Sequence, residues 1–286
     1  MERLSMALLI KGQIKKIVQL ARKILPAIVF DALYRGMFFV YKGILRYLGL
    51  IRGIGYVVAG KKEEWAMTKE IFHVMPYTLV GRGGLRATYE IVVKVCEEDI
   101  PGDIVEAGVA RGGCAALMAR VMFSESHKGS QDRKMWLFDS YEGLPEPTEK
   151  DFGAGVSSGT GEHVSPLHKG SCLGTLQEVR RLMFEVNCFP ESRIRFVKGW
   201  FEHTIPVTVG EIEQIAVLRI DGDWYESTKC CLEGLYEHVV DSGFIIIDDY
   251  QSCYGCKRAV DEFIQDKGLH PDIKLDGRGG CYFAKV

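Results

Sequence analysis

From Gly102 to the C-terminus, short apolar runs alternate with longer stretches of helical composition, and this alternation limits the chain more than any other feature. Strands with one wet face alternate apolar and polar positions, whereas near-continuous apolar runs read as parallel strands buried on both sides and joined by helices. The runs are Asp103–Glu106, Lys134–Phe138, Ile194–Val197, Ile215–Ile220, Phe244–Ile247 and Cys281–Lys285. The implied class is α/β, a mostly parallel sheet with helices on both faces. Residues 102–286 form the principal domain on this reading. Residues 63–101 form a helical lead-in, and residues 1–62 a helical extension of different character.

In that extension Arg3, Lys11, Lys15, Lys16, Arg22, Lys23, Arg35, Lys42, Arg46, Arg52, Lys61 and Lys62 face only Glu2 and Asp31. The whole chain of 286 residues carries a formal charge of -2, so the remainder is clearly acidic. No basic stripe interleaved with aromatics follows Lys62, which argues against a nucleic-acid partner. Apolar runs such as Ala27–Phe30 and Leu48–Ile51 fall short of a bilayer span. Cations beside apolar faces suit helices lying on a membrane surface, with packing or dimerisation helices as the alternative. A homo-oligomer is therefore left open. Nine cysteines, with no evident signal peptide, fit reduced thiols in a cytoplasmic chain, peripheral on the inner face of the membrane if the extension binds there. Cys253 and Cys256 form a C-x-x-C with no second pair at zinc spacing.

The first strand runs into Glu106-Ala107-Gly108-Val109-Ala110-Arg111-Gly112-Gly113, placing glycines at a strand-to-helix turn where backbone can approach a ligand closely. The spacing is not the dinucleotide fingerprint. An acid at the strand end suits a cationic ligand. The next strand ends at Asp139-Ser140, where a carboxylate can hold the two hydroxyls of a ribose. Together these features favour a nucleoside carrying positive charge, adenosylmethionine rather than NAD. Taken alone, Asp139 could equally cap a helix.

Further on, Arg219-Ile220-Asp221-Gly222-Asp223-Trp224-Tyr225 and Ile246-Ile247-Asp248-Asp249-Tyr250 both follow apolar strands, so their carboxylates should converge at one sheet edge. Clustered carboxylates repel unless a cation holds them, and oxygen-only ligation suits Mg2+ or another hard divalent cation. Singly, Asp221 could be a turn residue and Asp248 a cap. Residues 145–172 are Gly- and Pro-rich and too long for a simple turn, which suggests a lid. Trp200, Phe201, Trp224 and Tyr225 are candidates to wall an acceptor.

These blocks, with Asp139-Ser140-Tyr141-Glu142-Gly143-Leu144-Pro145 and Gly199-Trp200-Phe201, resemble the macrocin O-methyltransferase family, which methylates sugar hydroxyls on macrolide and aminocoumarin antibiotics. The resemblance runs from about Thr78 to about Phe263. It implies a Rossmann-like class I fold with a seven-stranded sheet and S-adenosylmethionine as methyl donor. By the same resemblance Thr78, Glu106, Gly108, Gly112, Gly113, Asp139 and Ser140 would bind adenosylmethionine. Asp221, Asp248 and Asp249 would ligate magnesium, with Asp221 or Asp223 as the catalytic base toward a sugar-containing acceptor. Ala110 stands where the family commonly has Trp, and Tyr141 where it has Phe. A catechol-type methyltransferase would use the same chelate on a flatter acceptor, and a noncatalytic adenosylmethionine-binding scaffold at a membrane would not need the acids.

Overall fold

The computed structural model describes residues 53–124, 132–153, 163 and 165–285, together with single positions between 36 and 51. Helices α1 (Lys62–Val74) and α2 (Arg82–Glu97) lie just before the sheet. In α2, Leu85, Thr88, Ile91, Val92 and Val95 are buried, the three-and-four spacing of a helix with one apolar face. The strands are β1 (Asp103–Ala107), β2 (Met135–Asp139), β3 (Ile194–Lys198), β4 (Ile215–Ile220), β5 (Val239–Ile247), β6 (Lys274–Leu275) and β7 (Cys281–Ala284). Between or after them lie α3 (Gly113–Met122), α4 (Leu176–Arg181), α5 (Phe201–Thr208), α6 (Tyr225–Leu235) and α7 (Tyr254–Asp266).

The seven strands stand in the order β3-β2-β1-β4-β5-β7-β6. Strands β1 to β5 pair in parallel, and β7 runs antiparallel to both β5 and β6. This is the expected class I methyltransferase fold. The six apolar runs all became strands, with ends shifted by a residue or two and β5 starting earlier, at Val239. Strand β6 escaped the sequence reading because it is two exposed residues long.

Period-two alternation divides the strands between two cores. Ile104, Leu137, Val217 and Ile246 pack with α1, α2 and α3, while Val105, Phe138, Leu218 and Ile247 pack with α5, α6 and α7. The same parity puts Glu106, Arg219, Asp221 and Asp248 on the α1–α3 side. Strand order reverses between β1 and β4, and at such a switch point the loops leaving the carboxyl ends diverge and open a crevice.

Most of the extension, and the segments 154–162 and 164 of the expected lid, lie outside the described residues. The described positions from 36 to 58 are helical, and Val40, Ile44, Tyr47, Ile51, Ile54 and Val58 are exposed there. Among the described residues no helix is long and apolar enough to cross a membrane. All nine cysteines are free.

The crevice depends on one close approach. Gly108 has φ +93°, and a Cβ there would lie 1.9 Å from the Asp221 carbonyl oxygen. Backbone on the neighbouring strand end cannot yield to it. Gly108→Ala should therefore destabilise the fold by about 2 kcal/mol or more in urea denaturation, through clash and left-handed strain together. An unchanged midpoint would contradict this packing.

Candidate active site

The site is assembled around Arg219, the one cation in an otherwise apolar strand. Its side chain is fully buried, and parallel register sets it directly beside Glu106. The Nη1 group donates to Glu106 Oε1 and to Asp221 Oδ2, each at 2.9 Å, while Nη2 donates to Asp248 Oδ1 at 2.6 Å. Arg278, from the turn before β7, donates from Nη1 to the other Asp248 oxygen. Glu106 is 1% exposed, and its Oε2 is left without a hydrogen bond. Burial pushes the Glu106 pKa up to about 8, and Arg219 only partly opposes it.

Five carboxyl groups crowd this edge against two guanidinium groups. Burial, then repulsion from Asp248, raises Asp221; burial, then Asp249, raises Asp223; burial, then Asp248, brings Asp249 to about 8. Asp221, Asp248 and Asp249 can each bring one ligand oxygen within 4.8 Å of the others. An excess of hard oxygen donors whose charge the protein does not balance fits a divalent cation of the Mg2+ class.

Several of the proposed cofactor residues stand around the glycine turn after β1. Gly112, in the left-handed region at φ +81°, is the N-cap of α3, and a Cβ on Gly113 would lie 2.6 Å from Thr78 Cβ. Thr78, far away in sequence, is thus packed on the glycine turn. Asp139 Oδ2 accepts the Val109 and Ala110 amides at 2.7 and 2.9 Å, and Oδ1 accepts the Tyr141 amide at 2.6 Å. Its first role is therefore to hold the β1 turn in shape. Ser140 Oγ donates to the Gly143 carbonyl and accepts the Glu142 amide, so it shapes the turn after β2. Ala110 and Tyr141, the two departures from the family pattern, both have positive φ (45° and 56°).

Two aromatic candidates need correction. Trp224 and Tyr225 are 4% and 2% exposed and have no face to offer an acceptor. Trp224 Nε1 donates to the Pro145 carbonyl, and the Tyr225 hydroxyl donates to Glu262 while Lys150 lies 4.3 Å from its ring. Trp200 and Phe201 follow β3, from which β4 is separated by β2 and β1, so they stand apart from Asp221. Sequence reading assigned no role to Arg219, Arg278 or Asp151. Asp151 is 2% exposed and caps α6 from a distant loop, accepting the Tyr225 amide at 2.7 Å. For Arg219 a signal existed, since a lone cation inside a buried strand must be paired.

A sheet of this topology, with a glycine turn and carboxylates at its switch point, defines a class I S-adenosylmethionine-dependent methyltransferase. A model of the macrocin-O-methyltransferase (TylF) family matches residues 60–285, and the chain belongs to that family of O-methyltransferases. It is 34% identical to demethyldecarbamoylnovobiocin O-methyltransferase of Streptomyces niveus, over 73% of this chain and 76% of that protein. It is 30% identical to mycinamicin III 3''-O-methyltransferase of Micromonospora griseorubida, over 86% and 91% respectively. Among solved structures, the O-methyltransferase NovP superposes with a TM-score of 0.63 at 33% identity, covering 73% of this chain and 82% of its own. The protein is an S-adenosylmethionine-dependent O-methyltransferase.

Arg219 makes the acid cluster tolerable inside the fold. Replacing it with Leu leaves Glu106 and Asp248 buried with reduced pairing, and breaking a buried ion pair in this way costs about 3–5 kcal/mol. Urea denaturation of Arg219→Leu should register a loss of that order. A variant as stable as the parent would show that the charges are not coupled as described.

Proposed function

We propose that the chain transfers a methyl group to a hydroxyl of a sugar, on a glycosylated metabolite or a lipid-linked glycan, with a divalent cation held by Asp221, Asp248 and Asp249. The observation that carries this is the placement of three convergent carboxylates against the glycine turn, where Gly108 abuts Asp221. The named relatives support a sugar acceptor, because they act on glycosylated antibiotics such as mycinamicin III.

A sugar hydroxyl loses its proton only far above neutral pH, so transfer requires the proton to leave as oxygen attacks the methyl carbon. When bound, a divalent cation lowers the pKa of a hydroxyl beside it. Asp221 is assigned as the proton acceptor, since it ends β4 on the cofactor side and reaches the same cluster as Asp248. The C–S bond breaks as the C–O bond forms, and sulfur leaves with the electron pair as a neutral thioether. No acid is needed to assist it. Thr78, Glu106, Gly108, Gly112 and Gly113 are assigned to the adenosylmethionine amino-acid end, with Asp139 and Ser140 at the ribose. Asp223, in the left-handed region at φ +54°, sits two residues on and is assigned to the acceptor.

Chelation should abolish turnover, measured with demethyldecarbamoylnovobiocin as a trial acceptor, and added Mg2+ should restore it. Asp249→Ala should keep adenosylmethionine binding while lowering turnover roughly 100-fold or more. Asp221→Asn should weaken both Mn2+ binding by calorimetry and rate, whereas Asp223→Asn should chiefly raise the acceptor concentration required. A dead Asp223 variant beside an Asp221 variant with normal metal response would exchange the two roles.

Residues 1–62 are assigned to the surface of an anionic membrane. Their cationic and apolar interleaving supports this, as does the row of exposed apolar side chains from Val40 to Val58. Anchoring there would place the enzyme near a lipid-linked acceptor. The full chain should float with phosphatidylserine liposomes and a chain lacking residues 1–62 should not. Equal flotation of both would refute the assignment.

A further inference from the structure

A second set of ligating groups shares Asp249 and contains none of the acids paired with Arg219. Asp223, Asp249 and Cys253 can each bring one ligand atom within 4.8 Å of the others. Two local features cause this convergence. The Cys253 amide donates to the Asp249 carbonyl four residues earlier, so both side chains emerge from one turn at the start of α7. Asp223 takes the left-handed conformation that Asp tolerates better than most residues, and this turns the loop after β4 toward them.

The donors in this set are largely uncommitted. Cys253 is 6% exposed, and among the described residues its thiol meets no hydrogen-bond partner. The carboxylate of Asp223 likewise receives no donor from the described residues. Asp249 accepts Ser252 Oγ at 2.7 Å through Oδ1 and keeps Oδ2 available. The Cys253 thiol packs at the edge of the core under α5–α7 and stands within 4.8 Å of a ligand oxygen of each carboxylate. Cys256, the other half of the C-x-x-C, lies outside the set.

We propose that Asp223, Asp249 and Cys253 form a binding site for a thiophilic divalent cation, Zn2+ or Cd2+, distinct in chemistry from the oxygen-only trio beside it. Sulfur ligation separates the two sites, because thiolate selects soft ions and carboxylate oxygen selects hard ones. Two ligands on one tetrahedral zinc ion lie roughly 3.5 Å apart, from bond lengths of about 2.0–2.3 Å, so side-chain rotations that draw the ligand atoms together from within 4.8 Å close the set. The ion takes the place of the thiol proton, which passes to solvent. Occupancy takes Asp223 and Asp249 from methyl transfer, so traces of such ions inhibit the enzyme; this consequence rests on the proposed function, whereas binding itself does not.

Cadmium titration of the full chain, carried out in a Cys188→Ser background to remove the exposed thiol, tests the site. The thiolate-to-cadmium ultraviolet band and calorimetry are the two readouts. The unmodified site should take up one ion with a saturable band. Cys253→Ser should lose the band and weaken binding by at least about tenfold, and Asp223→Asn should weaken it comparably while retaining the band. Cys256→Ser should change neither. Retention of band and affinity by Cys253→Ser, or their loss in Cys256→Ser, overturns the assignment. Should Cys253→Ser fail to fold, unchanged affinity in Asp223→Asn overturns it instead. Absence of Mg2+ binding at the neighbouring trio would leave these outcomes untouched, so the two readings fail separately.

Discussion

A single guanidinium, that of Arg219, holds the working edge of this protein together. It lies inside a strand, buried on both faces, and its two terminal nitrogens reach Glu106 on β1, Asp221 at the end of β4 and Asp248 at the end of β5. Three strand ends are thereby fixed by one charge. Such an arrangement is costly in isolation, since each ion must leave water, and it persists because the geometry satisfies several groups at once. Arg278 adds a second cation from the far end of the chain. Even so, the acids outnumber the bases, and burial with mutual repulsion raises Asp221, Asp223 and Asp249.

That imbalance links the fold to the chemistry. On the α1–α3 side of the sheet, Glu106 lies in the strand that runs into the glycine turn, which we propose holds the methyl donor. Asp223 and Asp249 lie in the loops that leave β4 and β5. Gly108, pressed against the Asp221 carbonyl, keeps the two halves at backbone contact distance.

Much of this was legible in the sequence because strands translate spacing into position. Six apolar runs gave six strands, and acids placed one or two residues beyond them had to appear at one edge. Glu106 and Arg219 meet because parallel register carries each to the same level. What escaped reading depends on contacts between distant segments. Asp151 caps α6 from a loop more than seventy residues earlier, and no local pattern announces it. Trp224 and Tyr225 looked like acceptor walls because they follow Asp223. They are buried because that same loop, with Pro145 and Lys150, covers them. Strand β6 is too short to leave a trace.

The most direct test of the account is comparative mass spectrometry of glycosylated metabolites and glycolipids from cells with and without this chain, followed by methylation of the purified candidate in vitro. The account predicts that one glycan species lacks one methyl group in the deficient cells, appearing lighter by a single methylene. It also predicts that the purified species gains that methyl on a sugar oxygen only when adenosylmethionine and a divalent cation are both supplied. Transfer to a phenolic oxygen, or full transfer to sugar after exhaustive chelation, would contradict it.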